Sequence, residues 1–368
     1  MGGRESSGLF VGLMSGTSLD GADAVLADFS TTRPQVVAAC HLPYPSELRA
    51  RLLALHEPAI NELHHAALIG NELARLYARA VAVLLERSGL TRDVITAIGC
   101  HGQTIRHNPS AGYSIQLNSP ALLAELSGMP VVADFRARDI AAGGEGAPLV
   151  PAFHDALFRA SDTSRVVVNI GGIANLTDLN NTKPTRGFDC GPGNMLLDAW
   201  AQRHLGRPFD DDGKWAQSGT VIHALLGALR ADPFFSVAPP KSCGRELFNI
   251  KWLQKKLAEN DSAADVQATL LELTASTIVD AIGHWCGIPD EVLVCGGGAS
   301  NGALMRRLAA SIPGVPVSST TKYGFGADRI EALAFAWLAQ QTLRTAPGNL
   351  PAVTGATGPR VLGAIYPA

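Results

Sequence analysis

Apolar and polar positions follow each other along the chain in two short patterns that look alike. Phe10-Val-Gly-Leu-Met14 is an apolar run, Ser15-Gly-Thr-Ser-Leu-Asp-Gly21 a turn of small and polar residues, and Ala24-Val-Leu-Ala-Asp-Phe29 a second apolar run. About half a chain later Val166-Val-Val-Asn-Ile170 leads into Gly171-Gly172 and then Ala174-Asn-Leu-Thr-Asp-Leu179. Each reads as a β-hairpin with a small-residue tip. The spacing fits two similar domains, each offering one Gly/Ser/Thr turn to a common cleft. It fits equally a chance likeness between two glycine-rich hairpins.

Between these hairpins the apolar positions change to helical spacing. Asn61 to Arg87 carries Leu63, Ala67, Leu73, Leu76, Tyr77, Val81 and Leu84, with Gly89 as a stop. Asp265 to Trp285 places Leu270, Leu273, Thr274, Thr277, Ile278 and Ala281 on one stripe. Ala327 to Arg344 is apolar through Ala332-Leu-Ala-Phe-Ala-Trp-Leu338, which predicts a helix buried between layers. Strands mixed with helices indicate α/β architecture. The tail reads as a linker, Pro347 to Pro351, and a short strand within Val361 to Tyr366.

Composition narrows the classes. A length of 368 residues exceeds one ordinary hydrophobic core, so two domains are expected. A hydrophobic content of 46% with a net charge of -3 excludes disorder as the dominant state and offers no basic excess for nucleic acid. No run of 18 apolar residues spans a membrane, and Leu9 to Met14 is too short for a signal-peptide core. Met1-Gly2 with Ser6 matches a myristoylation pattern but lacks a polybasic second anchor. Cys40, Cys100, Cys190, Cys243, Cys286 and Cys295 form no CxxC pair, which speaks against disulfides or zinc and for a reducing cytoplasm.

Several segments carry candidate chemistry. In Ser15 to Gly21 the backbone can approach a phosphate closely, and Asp20 and Asp23 suit water on a magnesium ion; an ordinary hairpin turn has the same composition. Val292 to Gly302 reads as strand, triple glycine and helix, a nucleotide-approach geometry or simply a tight turn. It lacks the Rossmann fingerprint, because Asn301 stands where the third glycine belongs, and Gly213-Lys214 runs into Trp215 instead of completing a Walker A loop. In Gly187 to Asp198, Asp189 precedes a rigid Gly-Pro-Gly turn, where a carboxylate serves either as a general base or as a backbone acceptor. Cys190 has no His near it in sequence to make it a nucleophile. Cys100 to His107 follows a predicted strand Val94 to Ile98 and clusters polar groups at its end, without a metal-ligand pattern in His101 and His107. Arg136 and Arg138 fit either an anionic substrate group or a solvated surface. Ala142 to Pro151 suits a hinge, a cleft-lining loop or a plain linker.

Nine collinear pieces, GLMSGTSLDGAD, CHGQTIRH, DFRARDIAAGGEGAPLVPAFH, VVNIGGIANLT, FDCGPGNMLLDAW, PPKSCGRELFN, VCGGGASN, EALAFAWLA and GNLPAVTGA, together resemble the anhydro-N-acetylmuramic acid kinases, within the sugar-kinase, heat-shock chaperone and actin superfamily. The resemblance covers Gly8 to Pro367. It implies an α/β fold of two similar actin-like ATPase (ribonuclease H-like) domains with a nucleotide cleft between them, divided as 8–135 plus 346–368 and 136–345. It implies ATP and Mg²⁺ as cofactors. Gly16, Thr17, Ser18, Leu19, Asp20, Gly21, Ala22 and Asp23 would face the phosphates, as would Gly171 and Gly172, and Gly296, Gly297 and Gly298 the adenosine. Asp20 would hold the metal, Asp189 would be the catalytic base, and His101, Gln103, Arg136, Arg138 and Glu331 would hold the sugar.

The implied reaction takes 1,6-anhydro-N-acetylmuramic acid, water and ATP to N-acetylmuramic acid 6-phosphate and ADP, in cytoplasmic recycling of bacterial peptidoglycan. Another sugar kinase or a non-catalytic sugar sensor of the superfamily are the alternatives. Expected partners are small molecules, with no nucleic acid and no membrane, and a homodimer is left open. The sequence departs from the pattern at Leu13, where many superfamily members carry Asp and part of whose role would pass to Asp20. It departs also at Cys190, more often Thr, and at Glu145, more often Gln.

Overall fold

β-Branched and aliphatic residues crowd both hairpins, and in both the chain folds back on itself as the pattern predicts. The computed structural model describes residues 8–16, 18–245 and 247–368; Thr17 and the Met1-Gly2 pattern lie outside them. Contacts divide the chain into two units, one of residues up to Phe153 with Arg329–Ala368, the other His154–Asp328.

The first unit holds β1 (Leu9–Ser15), β2 (Gly21–Asp28), β3 (Gln35–Pro43), β4 (Ala97–Asn108), β5 (Tyr113–Leu117), β6 (Val131–Ala133) and the last strand, β12 (Ala364–Tyr366). Its sheet runs β12-β6-β4-β1-β2-β3, with β5 on the outer part of β4. β1, β2 and β3 are antiparallel neighbours, while β4 lies parallel to β1 and β6 parallel to β4.

The second unit holds β7 (Arg165–Ile170), β8 (Ile173–Leu179), β9 (Arg186–Pro192), β10 (Glu291–Cys295) and β11 (Val317–Ser319), in the order β11-β10-β7-β8-β9. Again the first three strands are antiparallel and the next two join in parallel. The same topology thus occurs twice, which is the doubled ribonuclease H-like arrangement the resemblance implies and which chance likeness of two hairpins does not produce. Each unit buries an apolar core of its own.

The predicted helices form as Glu62–Ser88, Ala263–Ala281 and Ile330–Leu343. Asn61 stands at the N-cap of the first; the N-cap expected at Asp265 is instead Ser262, whose side chain accepts from the Asp265 N–H inside the first turn. Ala263–Ala281 continues into a wider π-type turn, Ile282–Cys286, which accounts for the longer span read from the sequence.

The sequence boundaries at 135/136 and 345/346 differ from the observed division, because residues 136–153 and 329–345 lie with the first unit. The helix Ile330–Leu343 packs on β1 and β4. Gly12 and Gly99 make this possible: a Cβ at Gly12 would lie 1.8 Å from the Ala332 carbonyl oxygen, and one at Gly99 2.0 Å from that of Phe335. Two further expectations are corrected. Cys100 to His107 does not follow a strand Val94 to Ile98 but lies inside β4, which turns from β1 as partner to β5 and so continues to Asn108. The stretch read as a linker is anchored, with Asn349 buried and Gly348 donating to the Arg360 carbonyl.

Gly99→Ala forces a methyl into helix backbone. It should lower stability by about 3 kcal/mol, the upper end for overpacking, in urea unfolding followed by circular dichroism. An unchanged midpoint would mean that the helix can lift off the sheet without cost.

Candidate active site

In the first unit the turn between β1 and β2 is braced from within. Leu19 has φ +57 and donates its N–H to the Gly16 carbonyl at 3.3 Å, and Asp20 accepts from the Tyr44 N–H at 3.0 Å. Ser18 Oγ donates to Asp20 Oδ1 at 2.8 Å, and the exposed Asp20 carboxylate stands at the rim. Asp23 is paired with His41 at 2.8 Å. Leu19 and Ala22, expected at the phosphates, send their side chains into the core and can offer a ligand only backbone. Leu13, the position of the missing aspartate, is likewise fully buried.

Among the residues expected at the sugar, the structure brings His101 and Arg136 together. His101 lies on β4, Arg136 just after β6, and Arg136 Nη2 donates to His101 Nε2 at 2.8 Å. Burial first, and the Arg136 charge second, push the His101 imidazole well below its usual range, so the ring is neutral and Nε2 is an acceptor. Arg136 Nη1 also donates to the Gly146 carbonyl at 2.6 Å. Arg138 is exposed, and Glu331 is part-buried in the first turn of Ile330–Leu343. Gln103 is wholly buried: Nε2 donates to the Gly16 carbonyl at 3.1 Å and to that of Thr104 at 3.3 Å.

Sequence reasoning missed Asp139. Its buried carboxylate accepts from the Gly146 N–H at 2.8 Å, Asn349 Nδ2 at 2.6 Å and Thr354 Oγ1 at 2.8 Å. The glycine-rich loop 142–146 is thereby clasped to the segment after Gly348, with Glu145 N–H on the Thr354 carbonyl and Thr357 N–H on that of Ala142. The pairing of the GGEGAP and GNLPAVT pieces was the signal available.

In the second unit Asp189 lies near the end of β9, opposite Asn175 of β8. Its Oδ2 accepts from the Cys243 N–H at 2.9 Å, and its own N–H donates to the Lys241 carbonyl at 3.1 Å. Burial pushes the Lys241 ammonium down, while the charges of Cys190, Cys243 and Asp189 act the other way. Lys241 and Cys243 were also missed, though PPKSC was among the recognised pieces. Cys190 is buried and its thiol is pushed well up, first by burial and then by Asp189, the opposite of an activated nucleophile.

The Gly-Pro-Gly-Asn turn after Asp189 is bonded directly to the glycine tip of the hairpin β7–β8. Gly193 and Met195 donate to the Gly172 carbonyl at 2.9 and 3.1 Å, and Asn194 to that of Gly171 at 2.8 Å. The triple glycine sits on the same strand end. A Cβ at Gly296, where φ is +80, would lie 2.5 Å from Asn169 Oδ1, and one at Gly298 2.4 Å from the Ile170 side chain. Gly171, Gly172, Gly296, Gly297 and Gly298 therefore gather at the end of β7, within reach of Asp189 along one turn. Backbone N–H groups at such a place suit phosphate oxygens.

A family model described as "Anhydro-N-acetylmuramic acid kinase" matches residues 8–368. The chain is 56% identical over 361 residues to an anhydro-N-acetylmuramic acid kinase of Nitrosospira multiformis, covering 98% of this chain and 99% of that one. The chain belongs to the anhydro-N-acetylmuramic acid kinase family. It is also 57% identical over 365 residues to the Bordetella parapertussis member, covering 98% and 96%. Among solved structures, component A of (R)-2-hydroxyglutaryl-CoA dehydratase from Acidaminococcus fermentans superposes with a TM-score of 0.48 at 13% identity, over 89% of this chain and 96% of that one.

For this family member a resident metal cage is not what the residues form: among the described residues no three His, Cys, Asp or Glu side chains gather to hold an ion. Asp20, exposed at its turn, fits the way Mg²⁺ is usually held, by one or two carboxylates with waters and substrate phosphates. Among the described residues no helix is long and apolar enough to cross a membrane.

Beside the triple glycine, His154 is fully buried, bonded through Nδ1 to Thr177 Oγ1 at 2.8 Å, with Nε2 4.0 Å from the Cys295 thiol. Burial pushes it from 6.5 down to about 3. The unfolded chain takes up that proton more readily than the folded one, so this contribution is complete above pH 6.5 and is lost as pH falls towards 3. The melting temperature should drop between pH 6.5 and 4, less steeply in His154→Gln. Equal slopes in differential scanning fluorimetry would assign the acid sensitivity to other groups.

Proposed function

We propose that this chain is an ATP-dependent kinase that hydrolytically opens 1,6-anhydro-N-acetylmuramic acid and phosphorylates O6, giving N-acetylmuramic acid 6-phosphate and ADP. The observation that carries this reading is membership in the family over 8–368, at 56–57% identity to members of that name. The geometry around Asp189 supports the chemistry. Ordinary glycosidases need two carboxylates, an acid and a base. Here one is sufficient, because the leaving oxygen is taken up by phosphorus.

Asp189 removes a proton from a water that attacks C1. The C1–O6 bond breaks with its electron pair on O6, O6 bonds to the γ-phosphorus, and ADP leaves. The Cys243 N–H holds Asp189 Oδ2 in place and keeps its lone pairs directed. The turn between β1 and β2 and the Gly171-Gly172 tip, whose Gly171 N–H already donates to the Ile173 carbonyl, would face the phosphates through the backbone groups they leave free, and the backbone of Gly296, Gly297 and Gly298 would border the adenosine. Mg²⁺, when bound, neutralises phosphate charge, and Asp20 would hold it. Arg136, aimed by His101 and the Gly146 carbonyl, supplies the guanidinium that an anionic lactyl group calls for. Glu331 would take a sugar hydroxyl. Cytoplasmic peptidoglycan recycling is the setting in which such a reaction has a use.

Asp189→Asn keeps an oxygen for the Cys243 N–H, so the fold and nucleotide binding should persist while turnover falls by about 10²–10⁴. In ¹⁸O-water the label should appear at C1 with inverted configuration. Label on phosphate would indicate simple ATP hydrolysis, and a near-normal rate in the Asn variant would move the base to another residue.

A further inference from the structure

The turn between β1 and β2 is held by four side chains that no water reaches freely, and two of them grip it at both ends. Tyr44 fastens the far end through its backbone, donating to the Asp20 carbonyl at 3.0 Å. Its hydroxyl then enters a buried cluster under the near end. Tyr44 OH lies 2.6 Å from Ser15 Oγ and 3.4 Å from Gln103 Oε1, and Ser15 Oγ lies 3.0 Å from Tyr77 OH. Gln103 completes the circuit by donating from Nε2 to the Gly16 carbonyl at 3.1 Å. Burial pushes the Tyr44 phenol up to about 12, and Tyr77 is likewise raised, so both hydroxyls keep their protons and serve as hydrogen-bond groups.

The backbone explains how Gln103 reaches the turn. β1 and β4 run in register as far as Leu13 and Cys100, then slip, so that Ser15 stands beside Gln103. Such irregularities re-aim side chains. With 0% exposure, Gln103 spends its polar atoms inside the protein, donating to the Gly16 carbonyl of the turn and to the Thr104 carbonyl of β4, with Oε1 near the Tyr44 hydroxyl.

We infer that Gln103 and Tyr44 are positioning residues for the nucleotide, fixing the Gly16 peptide so that the turn presents its N–H groups to phosphate, and that Gln103 is not a sugar ligand. This rests on the reading of turn 16–23 as a phosphate turn. Anchoring both ends of a short turn fixes its donors before the ligand arrives, so that ordering them does not weaken binding. The expected signature is on nucleotide affinity, with the sugar unaffected.

Gln103→Glu replaces the donor to the Gly16 carbonyl by an acceptor at nearly constant volume, and Tyr44→Phe removes one oxygen. Binding of ADP to the full chain, measured by isothermal titration calorimetry, should weaken on the order of tenfold in Gln103→Glu and severalfold in Tyr44→Phe. The sugar KM should stay within about twofold, and circular dichroism should show both variants folded. If Gln103→Glu fails to fold, Tyr44→Phe alone decides by the same comparison. Unchanged ADP affinity with a raised sugar KM would overturn the inference and return Gln103 to the sugar; unchanged values for both would overturn it as well. Wild-type protein that binds ADP but leaves the anhydro-sugar untouched would refute the proposed reaction, and the ADP comparison would still judge the two residues.

Discussion

A carboxylate removed from water must have its oxygens filled by donors, and Asp139 imposes that demand on the first unit. Three donors from two separated segments meet it: the Gly146 N–H from one, the Asn349 amide and the Thr354 hydroxyl from the other. Each such bond to a charged acceptor contributes about 1.5–3 kcal/mol, and a missing one leaves the group under-solvated. The demand therefore shapes the loop 142–146 and draws the segment after Gly348 onto it. Through the Gly146 peptide it reaches further. The N–H of that residue faces Asp139 while its carbonyl faces Arg136, whose other nitrogens meet His101. A buried carboxylate thus sets the direction of the guanidinium proposed to hold the substrate.

The two glycine turns, both proposed to face phosphate, are braced differently. The second has a two-residue tip, held by N–H groups of the following Gly-Pro-Gly-Asn turn, and Gly193 fits there because a Cβ would lie 2.4 Å from the Gly171 carbonyl oxygen. The first is longer and is held from beneath by side chains. Backbone bracing needs glycine; side-chain bracing needs buried amide and hydroxyl groups. A shared topology does not oblige the two halves to solve the problem alike.

What was legible in the sequence follows the range of the interactions. Both hairpins and the three long helices rest on local periodicity, and they stand within a few residues of where the pattern puts them. The true length of β4 was hidden because His101 and Gln103 are polar at inward positions, and their partners, Arg136 and Gly16, are remote in sequence. Pro347 to Pro351 looked like a linker because its anchor, Asp139, is 210 residues away from Asn349. The difference between the expected boundary and the division by contacts has the same origin: a glycine inside a strand signals a close approach without saying by what, and the helix that fills the space over Gly12 and Gly99 belongs to the far end of the chain. At the candidate site the resemblance pointed to the residues to examine. It did not tell Gln103, turned inward to a carbonyl, from Arg138, turned outward to water.

The helix over Gly12 and Gly99 also bears on the order of events at the ribosome. Strands β1 to β6 emerge first, yet the backbone that covers them is not made until Ile330–Leu343, after the whole of His154–Asp328 has been synthesised. At about 5–20 residues per second the early sheet waits on the order of ten seconds or more with that face uncovered. The second unit, continuous in sequence, has all its strands in hand before then. Birth order and completion order are thus reversed in this chain, and the earliest residues are the ones that depend longest on protection from aggregation.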